Sequence, residues 1–237
     1  MDPVRQARID LAAALRWAER HGFSEAICNH FSFMVPGATD RFLINPQGWH
    51  WREIAASSLL LVGDDGKLIE GDAPPEPTAF YIHWRLHRAA PQARCILHTH
   101  MPYATALTLT GVRGLDTTLS QNAMRFHGRV ALDAHYNGLA LDHSEGERIA
   151  RAMEGADVAF LGNHGVVVCG ERMDYAYDDL YILERACMVE VIARSTGLPL
   201  VPVDAALAAE VAAQINGERL QSTLFYEALR RLVPAAR

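Results

Sequence analysis

The apolar positions of the opening segment, DPVRQARIDLAAALRWAERHG, recur at helical spacing. Leu11, Leu15 and Ala18 fall on one face, which predicts an amphipathic helix with that face buried. Asp2 stands in the N-cap position, Pro3 at the first helical position, and Gly22 just past the end. The pattern then changes to short apolar runs divided by turn residues. HFSFMVP and RFLIN read as strands, separated by PGATD and closed by PQG. LLLVGDDGKLIEG reads as a hairpin, because GDDG supplies the positive-φ positions of a tight turn.

After GDAPPEP, the segment TAFYIHWRLHRAA returns to a helical period and stops before Pro91. ARCILHTH is the continuous apolar run of a buried strand, and PYATALTL a helix with Pro102 near its start. SEGERIARAME holds Ser144 and Glu147 at capping-box spacing. DVAFLGNHGVVVCG reads as two short strands joined at GNHG. DYAYDDLYILERACMVEVIARSTG is a long helix ended by Gly197, and DAALAAEVAAQING another ended by Gly217. ERLQSTLFYEALRRLV is an amphipathic tail expected to extend away from the core. No repeat, low-complexity stretch or interdomain linker interrupts this order. It predicts one α/β domain, with a largely antiparallel or mixed sheet covered by helices.

Composition narrows the function classes. Half of the 237 residues are hydrophobic and 21% are charged, the profile of a globular chain with a sizeable core. The formal net charge is −6 and the Lys and Arg residues are scattered, which argues against nucleic acid or an anionic membrane as partner. No run approaches the roughly 20 apolar residues of a membrane span. MDPVRQARIDLAAAL carries charges through its apolar positions and lacks a signal-peptide core. Cys28, Cys95, Cys169 and Cys187 are far apart, so free thiols and a cytoplasmic location are expected. The count that departs from the ordinary is eleven histidines.

Two of them stand in ILHTH. Side chains alternate along a strand, so His98 and His100 project from one face, about 6–7 Å apart, while Thr99 points away. Such a pair can converge on one divalent ion, and it is also what two partly exposed histidines at a strand end look like. His164, between Asn163 and Gly165 where two apolar strands join, is either a turn histidine satisfied by backbone or a third nitrogen for the same ion. Three nitrogens leave positions open for substrate or water, the arrangement of a catalytic metal. Glu76 precedes a helix that leads into the HTH strand. A carboxylate there suits the helix dipole, and a helix antiparallel to the strand brings it to the histidine end as an acid/base or a fourth ligand.

Taken together, NHFS, FLINPQG, EIAASSL, the Glu76 before its helix, HTHMPYATAL and LGNHG resemble the class II aldolase/adducin family, over about residues 8–215. The resemblance implies a three-layer α/β/α fold around a central, largely antiparallel sheet. Residues 1–217 would form this domain, with 218–237 a helical tail packing on a neighbouring subunit. It implies a homotetramer with sites near subunit interfaces, and one divalent ion per subunit on His98, His100 and His164. Zinc stands foremost, with manganese, iron or cobalt as alternatives. Glu76 maps onto the family's acid/base. The implied chemistry is metal-dependent carbon–carbon lysis, by aldol (retro-aldol) cleavage or decarboxylation through a metal-stabilised enediolate. An iron-dependent oxygenase on the same histidines and a non-catalytic adducin-like module are the alternatives.

The chain departs from the sugar-phosphate members of that family in one informative place. Where they carry Ser-Ser before the catalytic acid it has Pro74-Pro75, which offer neither hydroxyl nor N–H to a phosphate. A small, unphosphorylated hydroxy-carbonyl or carboxylate substrate is therefore expected. Candidate substrate contacts are Asn29, His30, Asn45, Gln47, Arg125 and Tyr136, with Ser32, His127 and Tyr226 as further possibilities. Arg125 is placed to hold a substrate carboxylate bidentately, or equally to be a surface or subunit-interface residue.

Overall fold

The computed structural model describes residues 2–90, 93–112, 114–138 and 143–232. Helix α1 spans Pro3–Arg20 and is capped by Asp2, whose carboxylate accepts from the amides of Val4 and Arg5. Strands β1 (His30–Met34) and β2 (Arg41–Ile44) follow, then β3 (Leu60–Gly63) and β4 (Leu68–Glu70). Helix α2 covers Pro77–Ala89 and leads to β5 at Cys95–Thr99; Pro91 lies outside the described residues. Next come α3 (Pro102–Thr108), α4 (Gln121–Met124), β6 (Val130–Asp133) and α5 (His143–Ala152). The chain ends through β7 (Val158–Leu161), β8 (Gly165–Gly170), α6 (Met173–Ser195), α7 (Ala205–Gly217) and α8 (Leu220–Leu232).

The strands form one eight-stranded sheet in the order β4-β3-β2-β1-β5-β8-β7-β6. Every pairing is antiparallel except β6 with β7. The central strands are buried on both faces, and the alternation of their side chains builds two cores. Phe31, Leu43, Cys95, Leu97, Phe160, Val166 and Val168 pack toward α1, α3, α6 and α8. On the other face, Ile96, Val167 and Cys169 pack on Ile82, Leu86 and Ile149 of α2 and α5. Phe42, Ile44 and Val62 meet Ala79 and Trp84 beside them. The result is a three-layer α/β/α architecture with a largely antiparallel sheet.

Three expectations differ from what is observed. Helix α5 begins at His143, so Ser144 lies within its first turn, and Glu147 pairs with Arg85 of α2 rather than closing a capping box. Strand β6 was not expected; VALD is short and gains its place from parallel pairing with β7. The tail does not extend away from the core. Its described part, α8, lays Tyr226 and Leu229 on its own chain, where Tyr226 donates to the Asp10 carbonyl at 2.5 Å and Trp17 donates to the Leu229 carbonyl at 2.9 Å. Burying an amphipathic face on α1 and α6 removes it from water without a second subunit. Residues 233–237 lie outside the described part.

Candidate metal centre

The register of the sheet brings the histidines together. His30 of β1 faces His98 of β5, which in turn faces Val167 of β8. The β7–β8 turn returns His164 over the end of β5, with Asn163 at φ 56°, in the left-handed region that Asn tolerates. Gly165 is required by the close approach of these segments. A Cβ there would stand 2.5 Å from the Thr99 carbonyl oxygen and 2.8 Å from Cδ2 of His100. Thus GNHG and HTH form one unit, in which the glycine admits the second segment against the first.

One ligand nitrogen from each of His98, His100 and His164 lies within 4.8 Å of the others. The ring centroids are 5.1 Å (His98–His100), 4.8 Å (His98–His164) and 4.8 Å (His100–His164) apart. His98 Nδ1 lies 3.0 Å from the Val166 carbonyl, which fixes its proton there and leaves Nε2 as a lone pair. His100 Nε2 is buried with no hydrogen-bond partner. Burial lowers all three pKa values, aided for His98 by His164 and for His164 by His100; His164 falls to about 4. Glu25 pulls the other way on His100, and Glu145 on His164. Three convergent, neutral imidazoles, one with an unpartnered buried nitrogen, form the donor set that a divalent cation takes.

Helix α2 runs antiparallel to β5. His87 reaches the Ala93 carbonyl, just before β5 begins, whereas His83 reaches His30, level with His98. The N-terminus of α2 therefore faces the histidine end of the sheet, and Glu76 caps it. The Glu76 carboxylate accepts from Ala79 N at 2.7 Å and from the Thr78 hydroxyl. It is not in the set of groups that lie within 4.8 Å of one another.

A profile of the Class II Aldolase and Adducin N-terminal domain matches residues 9–191, well over half of the chain. The chain belongs to the class II aldolase and adducin family. It is 36% identical to an aldolase class 2 protein of Pseudomonas aeruginosa, over 90% of this chain and 81% of that one. It is 31% identical to the decarboxylase NovR of Streptomyces niveus, over 90% of this chain and 77% of that one. Among solved structures, an aldolase II superfamily protein from Pseudomonas syringae superposes with a TM-score of 0.90 at 33% identity, covering 98% of this chain and 94% of that chain.

The remaining candidates of this class II aldolase-type chain divide into those beside the centre and those removed from it. Asn29, at φ 72° and buried, accepts from Glu25 N through Oδ1 at 2.9 Å, and its Nδ2 has no partner. Asn45 spends both ends of its amide on the backbone of Phe31 and Asn29, at 3.0 and 3.4 Å. Tyr136, 49% exposed, holds its ring 6.1 Å from that of His164. Gln47 is exposed in the turn after β2. Arg125 is buried elsewhere: it donates to Asp178 at 2.6 Å and its Nε, without a hydrogen bond, lies 3.4 Å from Asp179, so its charge is paired within the chain. His127 bonds the Thr117 hydroxyl at 2.9 Å. Tyr226 is buried on Asp10, on the face of the sheet opposite the histidines.

Sequence reasoning missed His83 and His87, which lie behind His30 on α2. Their signal was present: two histidines four residues apart on a helix share one face, and here that face is the buried one. No helix among the described residues is long and apolar enough to cross a membrane.

Proposed function

We propose that this protein is a metal-dependent carbon–carbon lyase acting on a small, unphosphorylated hydroxy-carbonyl or carboxylate compound, by aldol-type cleavage or decarboxylation. The observation that carries this reading is the convergence of three neutral imidazoles that include the buried, unpartnered Nε2 of half-buried His100. A scaffold role leaves that nitrogen uncompensated, which costs about 1–3 kcal/mol for a buried polar group. His98, His100 and His164 would hold the ion, zinc foremost, with manganese, iron or cobalt as alternatives. A divalent ion bound there supplies Lewis acidity toward a chelated hydroxy-carbonyl group.

The residues of the chain supply the rest. The Val166 carbonyl holds the His98 tautomer, so its Nε2 lone pair stays directed into the centre. Glu76 moves the proton: its carboxylate, now held by Thr78 and Ala79, must turn from the helix terminus toward the bound compound. Asn29, with a free buried Nδ2, and Tyr136, beside His164, are the substrate contacts best placed to bind oxygen atoms. Asn45 orders the Asn29 segment, and Gln47 is exposed in the turn that follows Asn45. Pro74 and Pro75 withhold the donors that a phosphate needs. The kinship with a decarboxylase agrees with this chemistry. The working form is a cytoplasmic homotetramer with its sites near subunit interfaces.

The test is a panel of hydroxy-acids and keto-acids, each beside its phosphorylated counterpart, assayed with zinc-, manganese- and iron-loaded protein for aldehyde or carbon dioxide release. Turnover should be confined to the unphosphorylated compounds, and Glu76→Gln should retain the metal while losing turnover. Oxygen consumption in place of lysis, or turnover of phosphorylated sugars alone, would refute the reading. An active Glu76→Gln variant would remove that residue from the acid/base role.

A further inference from the structure

A continuous run of hydrogen bonds leads away from the three histidines into the interior. The His30 ring lies beside that of His98, with centroids 4.8 Å apart. His30 Nδ1 is 2.7 Å from His83 Nε2. The other nitrogen of His83, Nδ1, meets Ser32 Oγ, which lies 2.8 Å from His87 Nε2. His87 Nδ1 ends the run on the Ala93 carbonyl at 2.9 Å. All four side chains are buried, His30 at 6% exposure and His87 at 4%, with Ser32 and His83 at 0%.

The far end of the run fixes its direction. A carbonyl only accepts, so His87 carries its proton on Nδ1 and offers a lone pair at Nε2. Ser32 donates to that lone pair and accepts from Nδ1–H of His83. His83 Nε2 is then an acceptor for Nδ1–H of His30. The rings are buried and no carboxylate among the described residues pairs with them, so each is neutral and has one proton to place. The His30 carbonyl also attracts a proton on the His83 ring. With that proton on Nε2, however, the single Ser32 O–H would face two ring lone pairs. Only one direction satisfies every member, and it leaves His30 with a lone pair on Nε2.

His30 is not one of the three nitrogens that lie within 4.8 Å of one another; it stands one ring away, beside His98. Its neighbour Asn29 carries the unpartnered buried Nδ2, so an acceptor and a donor stand on consecutive residues there. We propose that His30 is a specificity-determining residue whose Nε2 accepts a hydrogen bond from a hydroxyl group of the compound bound at the three histidines. His83, Ser32 and His87 are the positioning residues that hold it in that tautomer. This deepens, and rests on, the lyase reading above. It names the substrate class as one with a free O–H beside its chelating oxygens, where an ether would be rejected.

The tautomers are read from imidazole 15N resonances of the histidine-labelled, metal-free chain, assigned by the loss of signals in His30→Gln, His83→Gln and His87→Gln. His30, His83 and His87 should each show a protonated Nδ1 and a bare Nε2. A protonated Nε2 on His30, or a charged His30 ring at neutral pH, overturns the proposal whatever the protein catalyses. Recognition is read by titrating the zinc-loaded protein with glycolate and with methoxyacetate, in which a methyl group replaces the hydroxyl proton. Glycolate should bind about five- to tenfold more tightly, the worth of one hydrogen bond. In Ser32→Ala that ratio should fall toward one while zinc content is unchanged, an effect that general loosening would not produce. A ratio that survives Ser32→Ala, or equal binding to the natural chain, overturns the proposal. Zinc that fails to bind removes the lyase reading and with it the recognition half, leaving the tautomer result to stand on its own.

Discussion

Two polar regions lie inside this protein, on opposite faces of the sheet, and they are built by opposite rules. Between α4, α6, α7 and α8, three arginines meet three aspartates. Arg125 donates to Asp178 at 2.6 Å, and Arg129 donates to Asp157 and Asp179 at 2.8 and 2.7 Å. Arg219 donates to Asp179 at 2.9 Å, while Ser222 adds its hydroxyl to Asp178 at 2.6 Å. Burial alone would raise the Asp179 carboxyl, but Arg129, Arg219 and Arg125 hold it below its ordinary value. In the histidine centre no counter-charge among the described residues is in contact, the rings are neutral, and His100 Nε2 has no partner. Opposite charges paired within the chain are architecture, even where Arg125 Nε is left without a hydrogen bond. Convergent lone pairs left open are a site waiting for something outside the chain.

The comparison can be broken at either end. The largest effect is expected from Asp179→Ala, which removes the acceptor that Arg129 and Arg219 share and leaves them Asp157 and the Tyr175 carbonyl as partners of those nitrogens. Loss of about 3–5 kcal/mol in urea unfolding is expected, as for other broken buried pairs. Zinc bound per folded molecule should be unchanged; a variant of native stability would show the network to be ornamental. His164→Ala should act the other way, weakening zinc by about 100-fold or more, at least about 2.7 kcal/mol, so that no ion is retained once unbound zinc is removed, while unfolding shifts little.

Acid separates the regions further. A histidine that is buried and neutral has a folded pKa below its unfolded value of about 6.5. Its contribution is therefore complete above that pH and lost as the pH falls toward the folded value, about 4 for His87 and about 3 for His30. Each such ring adds a slope of up to about 1.4 kcal/mol per pH unit across that window. Asp179 is depressed in the folded chain, so its contribution begins to fade only near and below the ordinary carboxylate value of 3.8. Metal-free protein should thus lose stability between about pH 6.5 and 4, before Asp179, the acceptor shared within the arginine–aspartate network, is touched. A flat profile over that window would contradict the neutral assignment. The smallest change is Ser222→Ala, which removes one hydrogen bond to Asp178 and should cost about 1 kcal/mol.

The two regions were unequally legible in the sequence. Alternation alone placed His98 and His100 on one face, and the turn residues around His164 marked a junction that packing does not explain. Most of the helices and the hairpin order were legible as well, because caps and turns are local. What stayed hidden depends on which elements meet. Arg125 reads equally as a carboxylate clamp or an interface residue until Asp178 and Asp179, about fifty positions later, are found against it. His83 and His87 look like polar residues on an amphipathic helix until α2 turns that face onto Ser32. The tail could not be placed either, since its apolar stripe fits a second subunit as well as it fits α1 and α6. Strand β6 has too few apolar residues to declare itself without β7.

The most direct test of the metal centre is the metal content of the folded chain after equilibration with excess zinc, manganese or iron and removal of the unbound ion. One ion per chain is expected, with none retained by His98→Ala or His164→Ala. A folded chain that emerges empty from all three metals, or one whose ion survives both substitutions, would contradict the assignment.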